Sequence, residues 1–249
     1  MTPWEMVAVL VAGIAGGAIN TVVGSGSLIT FPTLLAVGLP PITANVSNNI
    51  GLVPGGLSGV MGYRSELKGQ RERLLRLAPA SLAGALTGGL LLLNLPERTF
   101  TVVVTVLIAL SCTLVLIQPR LNRLLAARPR RAHGGPWLWL GALAAGAYGG
   151  YFGAGQGILL IGFMGILIDE ELQRINAAKN VLVVVVNGAA AILYALVADV
   201  DWLAVLLVAL GSTAGGFLGA RLGRRLPAPV LRATIVVIGV LAITKLLVG

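Results

Sequence analysis

Asn20-Thr21-Val22-Val23-Gly24-Ser25-Gly26-Ser27-Leu28-Ile29-Thr30-Phe31-Pro32 interrupts an apolar stretch that runs from about residue 4 to residue 37. Glycine is a poor helix residue because it has the most backbone freedom to lose. A helix entering this stretch is therefore expected to break around Gly24–Ser27. A second stretch, Gly149-Gly150-Tyr151-Phe152-Gly153-Ala154-Gly155-Gln156-Gly157, interrupts residues 136–168 in the same way. One bilayer crossing takes roughly 20 residues. Each interrupted segment is too long for one comfortable crossing and too short for two, so each reads as a broken or re-entrant helical hairpin.

The two breaks belong to a longer internal repeat. Gly24 and Gly26 match Gly153 and Gly155 at an offset of 129. From there the offset is 131 without a gap: Asn45 with Asn176, Asn49 with Asn180, Tyr63 with Tyr194, Ser81 with Ser212, Gly84 with Gly215, Gly88 with Gly219, and Leu95-Pro96 with Leu226-Pro227. Further apolar segments lie at about 43–63, 74–94, 99–118, 175–198, 202–220 and 230–248. The fold class is an all-α polytopic membrane protein made of two repeats, each a hairpin plus three transmembrane helices. The first repeat covers 1–118, a basic linker 119–135, and the second repeat 136–249.

Charge placement gives the topology. Fourteen of the 18 Lys and Arg residues fall in three short stretches. These are Arg64, Lys68, Arg71, Arg73 and Arg76; Arg120, Arg123, Arg128, Arg130 and Arg131; and Arg221, Arg224, Arg225 and Arg232. The positive-inside bias puts loops 64–76, 119–135 and 221–229 in the cytoplasm, where they can also meet anionic lipid headgroups. The loop with Asp199 and Asp201 then lies outside. That is consistent only if 136–168 crosses twice or enters and returns. Matching loops carry opposite charge character, which makes the repeats inverted and places both termini outside. No basic n-region precedes the first apolar stretch, which reads as a retained segment rather than a signal peptide.

Composition excludes several classes of function. The chain is 57% hydrophobic and 11% charged, with a mean hydropathy of +0.93, against about 25% charged residues in a soluble domain. Its net charge of +9 sits in loops beside membrane segments, not on a soluble domain, so it does not indicate nucleic-acid binding. Cys112 is the sole cysteine and His133, in the basic linker, the sole histidine. No intrachain disulfide, Cys-based metal site or intramembrane His triad follows from them. There is no phosphate-binding Gly-x-x-x-x-Gly-Lys-Ser/Thr sequence. The chain is accordingly expected to be no enzyme and to use neither cofactor nor metal.

All nine acidic residues fall at segment ends or in loops, so no carboxylate is expected at membrane depth, where proton-coupled carriers usually keep one. The polar groups expected there are uncharged and paired between repeats. The candidate substrate-binding residues are Asn20, Thr21, Gly24, Ser25, Gly26, Ser27, Asn45, Asn48 and Asn49 in the first repeat. In the second they are Gly153, Gly155, Gln156, Gly157, Asn176, Lys179 and Asn180. Broken helices expose backbone N–H groups where the helix dipole favours an anion, and Lys179 adds one positive charge. The plainer roles are packing for the fourfold-spaced Gly211, Gly215, Gly219 and Gly223, and backbone bonding within the helix for Thr21 and Ser47. Lys179 either faces the pathway or snorkels to the cytoplasmic end.

The segment 20–32, with Ala44-Asn45-Val46-Ser47-Asn48 as its continuation, resembles the first signature of the TauE/SafE (sulfite exporter-like) family. Residues 149–157 with Asn176-Ala177-Ala178-Lys179-Asn180 resemble the matching pair. The likeness covers essentially the whole chain. Ser25 and Ser27 stand where many members carry glycine, and the second Gly-rich motif has no counterpart of Pro32. The resemblance implies a secondary transporter of the bacterial inner membrane that exports sulfite or a related sulfur oxyanion or organosulfonate. Two other readings are an anion channel and a noncatalytic membrane subunit passing sulfur compounds to a soluble enzyme. The expected partners are the small anion and membrane lipids, with a homodimer possible through the glycine faces.

Overall fold

A computed structural model describes residues 1–126, 135–222 and 228–248. Arg128, Arg130, Arg131, His133, Gly223, Arg224, Arg225 and the Leu226-Pro227 pair lie outside the described residues. All the regular secondary structure among the described residues is helical, without strands. The helices are α1 (Pro3–Val22), α2 (Ser27–Ala36), α3 (Pro41–Gly62), α4 (Arg71–Asn94), α5 (Glu97–Ala126), α6 (Gly135–Tyr151), α7 (Gln156–Leu167), α8 (Leu172–Val197), α9 (Trp202–Leu222) and α10 (Ala228–Val248).

Among the described residues, five stretches are long and apolar enough to cross a membrane: Pro3–Val22, Arg71–Asn94, Arg98–Ile117, Leu172–Val197 and Trp202–Arg221. Helices suit a bilayer because every backbone group is satisfied within the segment. Large apolar side chains such as Val102, Val106, Ile192 and Leu206 point outward and exposed, as a lipid-facing surface requires. The start of α1 is set locally: Thr2 and Glu5 form a capping box around Pro3 at the first helical position.

Both Gly-rich stretches break the chain as expected. The α1 helix ends at Val22 and α2 starts at Ser27; α6 ends at Tyr151 and α7 starts at Gln156. Each short helix folds back on the longer one before it. A Cβ on Gly16 of α1 would meet Thr30 of α2, and one on Gly141 of α6 would meet Phe163 of α7. One boundary differs: α5 continues past 118 to Ala126, into the expected linker. The Leu- and Arg-rich sequence there consists largely of good helix formers.

Packing crosses between the two series of five helices. α1 lies against α9 and α6 against α4; α2 meets α10 and α7 meets α5; α3 and α8 meet each other. The α1–α9 and α4–α6 pairs approach through glycines. A Cβ on Gly215 would lie 2.0 Å from the carbonyl oxygen of Ile14, and one on Gly88 would lie 2.0 Å from that of Ala147. Close backbone contact of this kind holds membrane helices together by dispersion, where lipid provides no hydrophobic driving force. Gly211, Gly215 and Gly219 all face α1 backbone in this way, which is the packing role read from their spacing.

Candidate functional site

The site is built where the two broken hairpins meet α3 and α8. At the end of α1 the N–H groups of Val23 and Gly24 both bond back to the Ile19 carbonyl. Gly24 there has φ +84°, a conformation that costs other residues about 1–2 kcal/mol. The reversal leaves the last carbonyls of α1 without intrahelical partners. α8 supplies the donors. The Lys179 ammonium donates to the carbonyls of Asn20 (3.0 Å) and Thr21 (3.2 Å). The amides of Asn176 and Asn180 each donate to the Thr21 carbonyl at 3.3 Å. Spacings of three and four residues put these three side chains on one face of α8.

The end of α6 is arranged in parallel. Phe152 and Gly153 N–H both bond to the Tyr148 carbonyl, and Gly153 has φ +81°. Asn45 of α3 donates its amide to the Tyr151 carbonyl at 3.0 Å, as its repeat-mate Asn176 does at α1. The Tyr194 hydroxyl donates to the Gly150 carbonyl. Ser111 of α5 donates to the Ala154 carbonyl at 2.6 Å, and the Tyr148 hydroxyl reaches the same carbonyl. Phe152 stacks edge-on against Phe31 of α2, with centroids 5.2 Å apart.

The breaks touch. Gly157 N–H donates to the Gly24 carbonyl at 3.1 Å, and a Cβ on either would lie 2.5 Å from the other's Cα. The stem of Lys179 runs over Gly157, so close that a Cβ there would sit 2.7 Å from its Cδ. This one side chain thus spans from the first turn of α7 to the last turn of α1.

Equivalent positions are not used equivalently. Asn48 is the repeat-mate of Lys179, yet it turns to α2, where its amide donates to Ser27 at 3.1 Å and its oxygen accepts from the Thr30 hydroxyl. Gly26 and Gly155 align, but Gly26 is right-handed while Gly155 has φ +83°. Neither Gly26 nor Gly155 offers a side chain to cap the helix that follows. The N-terminal ends of α2 and α7 therefore present the positive end of the helix dipole toward the breaks.

Polar atoms without a hydrogen-bond partner are concentrated here. They include Ser25 Oγ, both amide atoms of Gln156, and the side-chain oxygens of Asn45, Asn49 and Asn176. All these residues are nearly or wholly buried. Buried amides and hydroxyls are normally satisfied, since leaving one unpaired costs about 1–3 kcal/mol. Lys179 is completely buried, not snorkelled, and is the one buried charged side chain among the described residues.

The structure places the proposed residues unequally. Thr21 uses its hydroxyl on the Gly17 carbonyl of its own helix, and Ser47 accepts from the Asp201 N–H. Ser111, Tyr194 and Thr30 join the cluster without having been singled out for it. Tyr194 carried a signal in its repeat partner Tyr63, and Thr30 lay within the first motif. Ser111 sits in a largely apolar helix among threonines that bond their own backbone, as Thr105 and Thr113 do. A cavity of about 590 Å³ lies elsewhere, between the starts of α4 and α6, lined by Glu72, Arg73, Arg76, Leu138 and Trp139 among others.

A second polar cluster ties the loop before α4 to the loop before α8. Arg73 and Arg174 both bind the Glu170 carboxylate, at 2.9 and 2.6 Å. Gln70 donates to the Arg174 carbonyl, and Arg174 to that of Lys68. Burial by itself would raise Glu170's carboxyl, but the hydrogen bonds and charges of the two arginines outweigh it and hold it below the usual carboxylate range.

Apolar spanning helices arranged around paired, polar helix breaks define a multi-pass membrane transporter. The chain belongs to the sulfite exporter TauE/SafE family, whose model matches residues 9–246. It is similar to the probable membrane transporter protein YfcA of Escherichia coli, with 26% identity over 93% of this chain and 85% of that one. A probable membrane transporter protein of Haemophilus influenzae is 26% identical, covering 94% of this chain and 91% of its own length. One from a Sinorhizobium species is 24% identical, over 95% and 90%. No solved structure matches the chain significantly.

Proposed function

We propose that the protein is a secondary carrier that exports a small sulfur oxyanion, sulfite or a related organosulfonate, across the bacterial inner membrane. The observation that carries this reading is the convergence at the touching breaks. Two helix N-termini without side-chain caps, the buried Lys179 ammonium and the unpartnered Ser25 and Gln156 side chains all lie there. The Lys179 ammonium, the Ser25 hydroxyl and the Gln156 amide are donors that replace part of an anion's hydration shell, the helix dipoles favour its charge, and no buried carboxylate competes among the described residues. The two halves, 1–118 and 136–249, are inserted in opposite senses with the Arg-rich loops cytoplasmic, and one half rocks against the other to alternate access. An inside-negative potential expels an anion with about 2.3 kcal/mol per charge per 100 mV, so export needs no coupling ion.

Sulfite efflux from proteoliposomes tests this reading. Saturable efflux with counterflow is expected, and Lys179→Ala should reduce it by about tenfold or more, the loss of one charge-assisted hydrogen bond to the anion. Single-channel currents, or flux that does not saturate, would overturn the carrier. Undiminished efflux in Lys179→Ala would remove the charge role of that residue.

A further inference from the structure

We infer that the cavity between the starts of α4 and α6 holds the headgroup of an anionic phospholipid from the cytoplasmic leaflet, with its phosphate on Arg73 and Arg76 and its upper acyl chain against Leu75 and Trp139. This rests on the orientation proposed above, with the Arg-rich loops cytoplasmic, and not on the anion that is carried.

The cavity, about 590 Å³, is of the size that holds a small ligand. One wall is cationic: Arg73 and Arg76 lie three residues apart on α4, a spacing that puts them on one face. The rest is largely apolar. Leu77 and Leu138 are buried and belong to a cluster with Leu160 and Ala178, not to the polar set around the breaks. Leu75 and Trp139 are exposed, so the cavity opens on the outside of the bundle. An indole and a guanidinium at one helix end suit the lipid–water boundary. The ring sits at headgroup level, and the guanidinium binds phosphate through paired hydrogen bonds.

The charges nearby do not consume those arginines. Glu72 also lines the cavity and pairs with Arg76, but both side chains are largely exposed, and such a pair yields readily to a better partner. Arg73 bonds Gln70 and Glu170 through Nη1, and a guanidinium carries five N–H donors. With Arg174, which shares Glu170, three cations stand against two carboxylates. The one positive charge left over is neutralised by a phosphodiester.

The other half supplies a comparison. The α9–α1 crossing is the counterpart of the α4–α6 crossing, and at the repeat offset of 131 Ala204 and Leu207 stand in place of Arg73 and Arg76. Gln70 corresponds to Asp201. The Asp201 carboxylate caps α9, accepting from the Ala204 N–H at 2.9 Å, whereas Gln70 gives α4 no side-chain cap. The start of α9 therefore carries its own anion, and the start of α4 carries cations beside an open cavity. In the proposed orientation the cationic end meets the leaflet rich in anionic lipid.

Native mass spectrometry of the full-length protein in detergent, titrated with phosphatidylglycerol or phosphatidylcholine of matched chains, tests this. Phosphatidylglycerol is expected to bind about fivefold or more tighter, and Arg76→Gln to weaken it by a similar factor. Arg64→Gln, exposed in the same loop but outside the cavity, should leave it unchanged. Equal binding of the two lipids overturns the anionic headgroup, and this wild-type comparison decides even where Arg76→Gln does not fold. Undiminished binding by Arg76→Gln, or an equal loss in Arg64→Gln, overturns the cavity as the site. Displacement of the lipid by millimolar inorganic phosphate overturns the lipid as its occupant. None of these outcomes depends on orientation or transport. Labelling of Arg64→Cys from either face of sealed inner-membrane vesicles reads the orientation separately, and labelling from the periplasmic face alone overturns the leaflet while leaving the site.

Discussion

The backbone N–H of Gly157 donates to the carbonyl of Gly24 at 3.1 Å, so the two helix breaks are joined through bare backbone. Gly24→Ala would place a methyl group 2.5 Å from the Gly157 Cα, in a left-handed conformation as well. It is expected to lower stability by about 2–4 kcal/mol and to abolish transport. Gly38 separates the two causes: its φ is +92° and a Cβ there meets nothing within 4 Å. Gly38→Ala should cost only the conformational part, about 1–2 kcal/mol, and keep its transport. Chemical unfolding in detergent and proteoliposome flux check both variants.

The helix crossings give a second contrast. Gly215→Ala would drive a methyl group into the Ile14 carbonyl at 2.0 Å, and a loss of about 1–3 kcal/mol is expected. Gly188, within α8, has open space around it. There, Gly→Ala should stabilise by up to about 1 kcal/mol through helix propensity. Opposite signs from one chemical change would be read directly as shifts in melting temperature.

Tyr194 holds the end of α6 through the Gly150 carbonyl. Tyr194→Phe leaves that buried carbonyl short of its donor and should cost about 1 kcal/mol, or roughly 2–4 °C in Tm for a chain of this size. Asn45→Ala, acting on the adjacent Tyr151 carbonyl, should show the same order of loss. The double variant tests coupling, since both donors serve one helix end and their effects should not simply add.

The Glu170 cluster predicts a pH dependence. Its folded-state carboxyl lies below the usual range, so its stabilising contribution is present above the unfolded carboxylate pKa and is lost as pH falls through the lowered folded value. Glu170→Gln should therefore lower Tm at neutral pH by a few degrees, for a loss of about 1–2 kcal/mol. The deficit should shrink on acidification below the usual carboxylate range, as the wild type loses the same charge. A deficit independent of pH would show that shape, not charge, matters at this position.

Much of the site was visible in the linear chain because its cause is local. Gly24 and Gly153 mark the breaks since a helix stops where backbone entropy is highest and a positive φ is needed. The constant offset paired Asn45 with Asn176 before either had a partner, and both amides do hold the end of a broken helix. Other roles had no local cause. Gly26 and Gly155 align but differ in conformation, because Gly155 lies beside Ser111 of α5 and Gly26 lies against Gly16 and Asn20 of its own hairpin. Ser111 is one of several hydroxyls in α5 that can bond their own helix, as it does with the Leu107 carbonyl, and only the approach of the second break gives it the Ala154 carbonyl as well.

What the amino-acid sequence determined alone is that this is a bundle of membrane helices with two Gly-rich breaks, since solvent preference and backbone freedom belong to each segment by itself. Tertiary structure decided where Lys179 goes. A lysine in an apolar helix can snorkel to the surface or stay inside, and the choice depends on whether acceptors lie within reach. Here the cut end of α1, more than 150 residues earlier in the chain, supplies the Asn20 and Thr21 carbonyls to it.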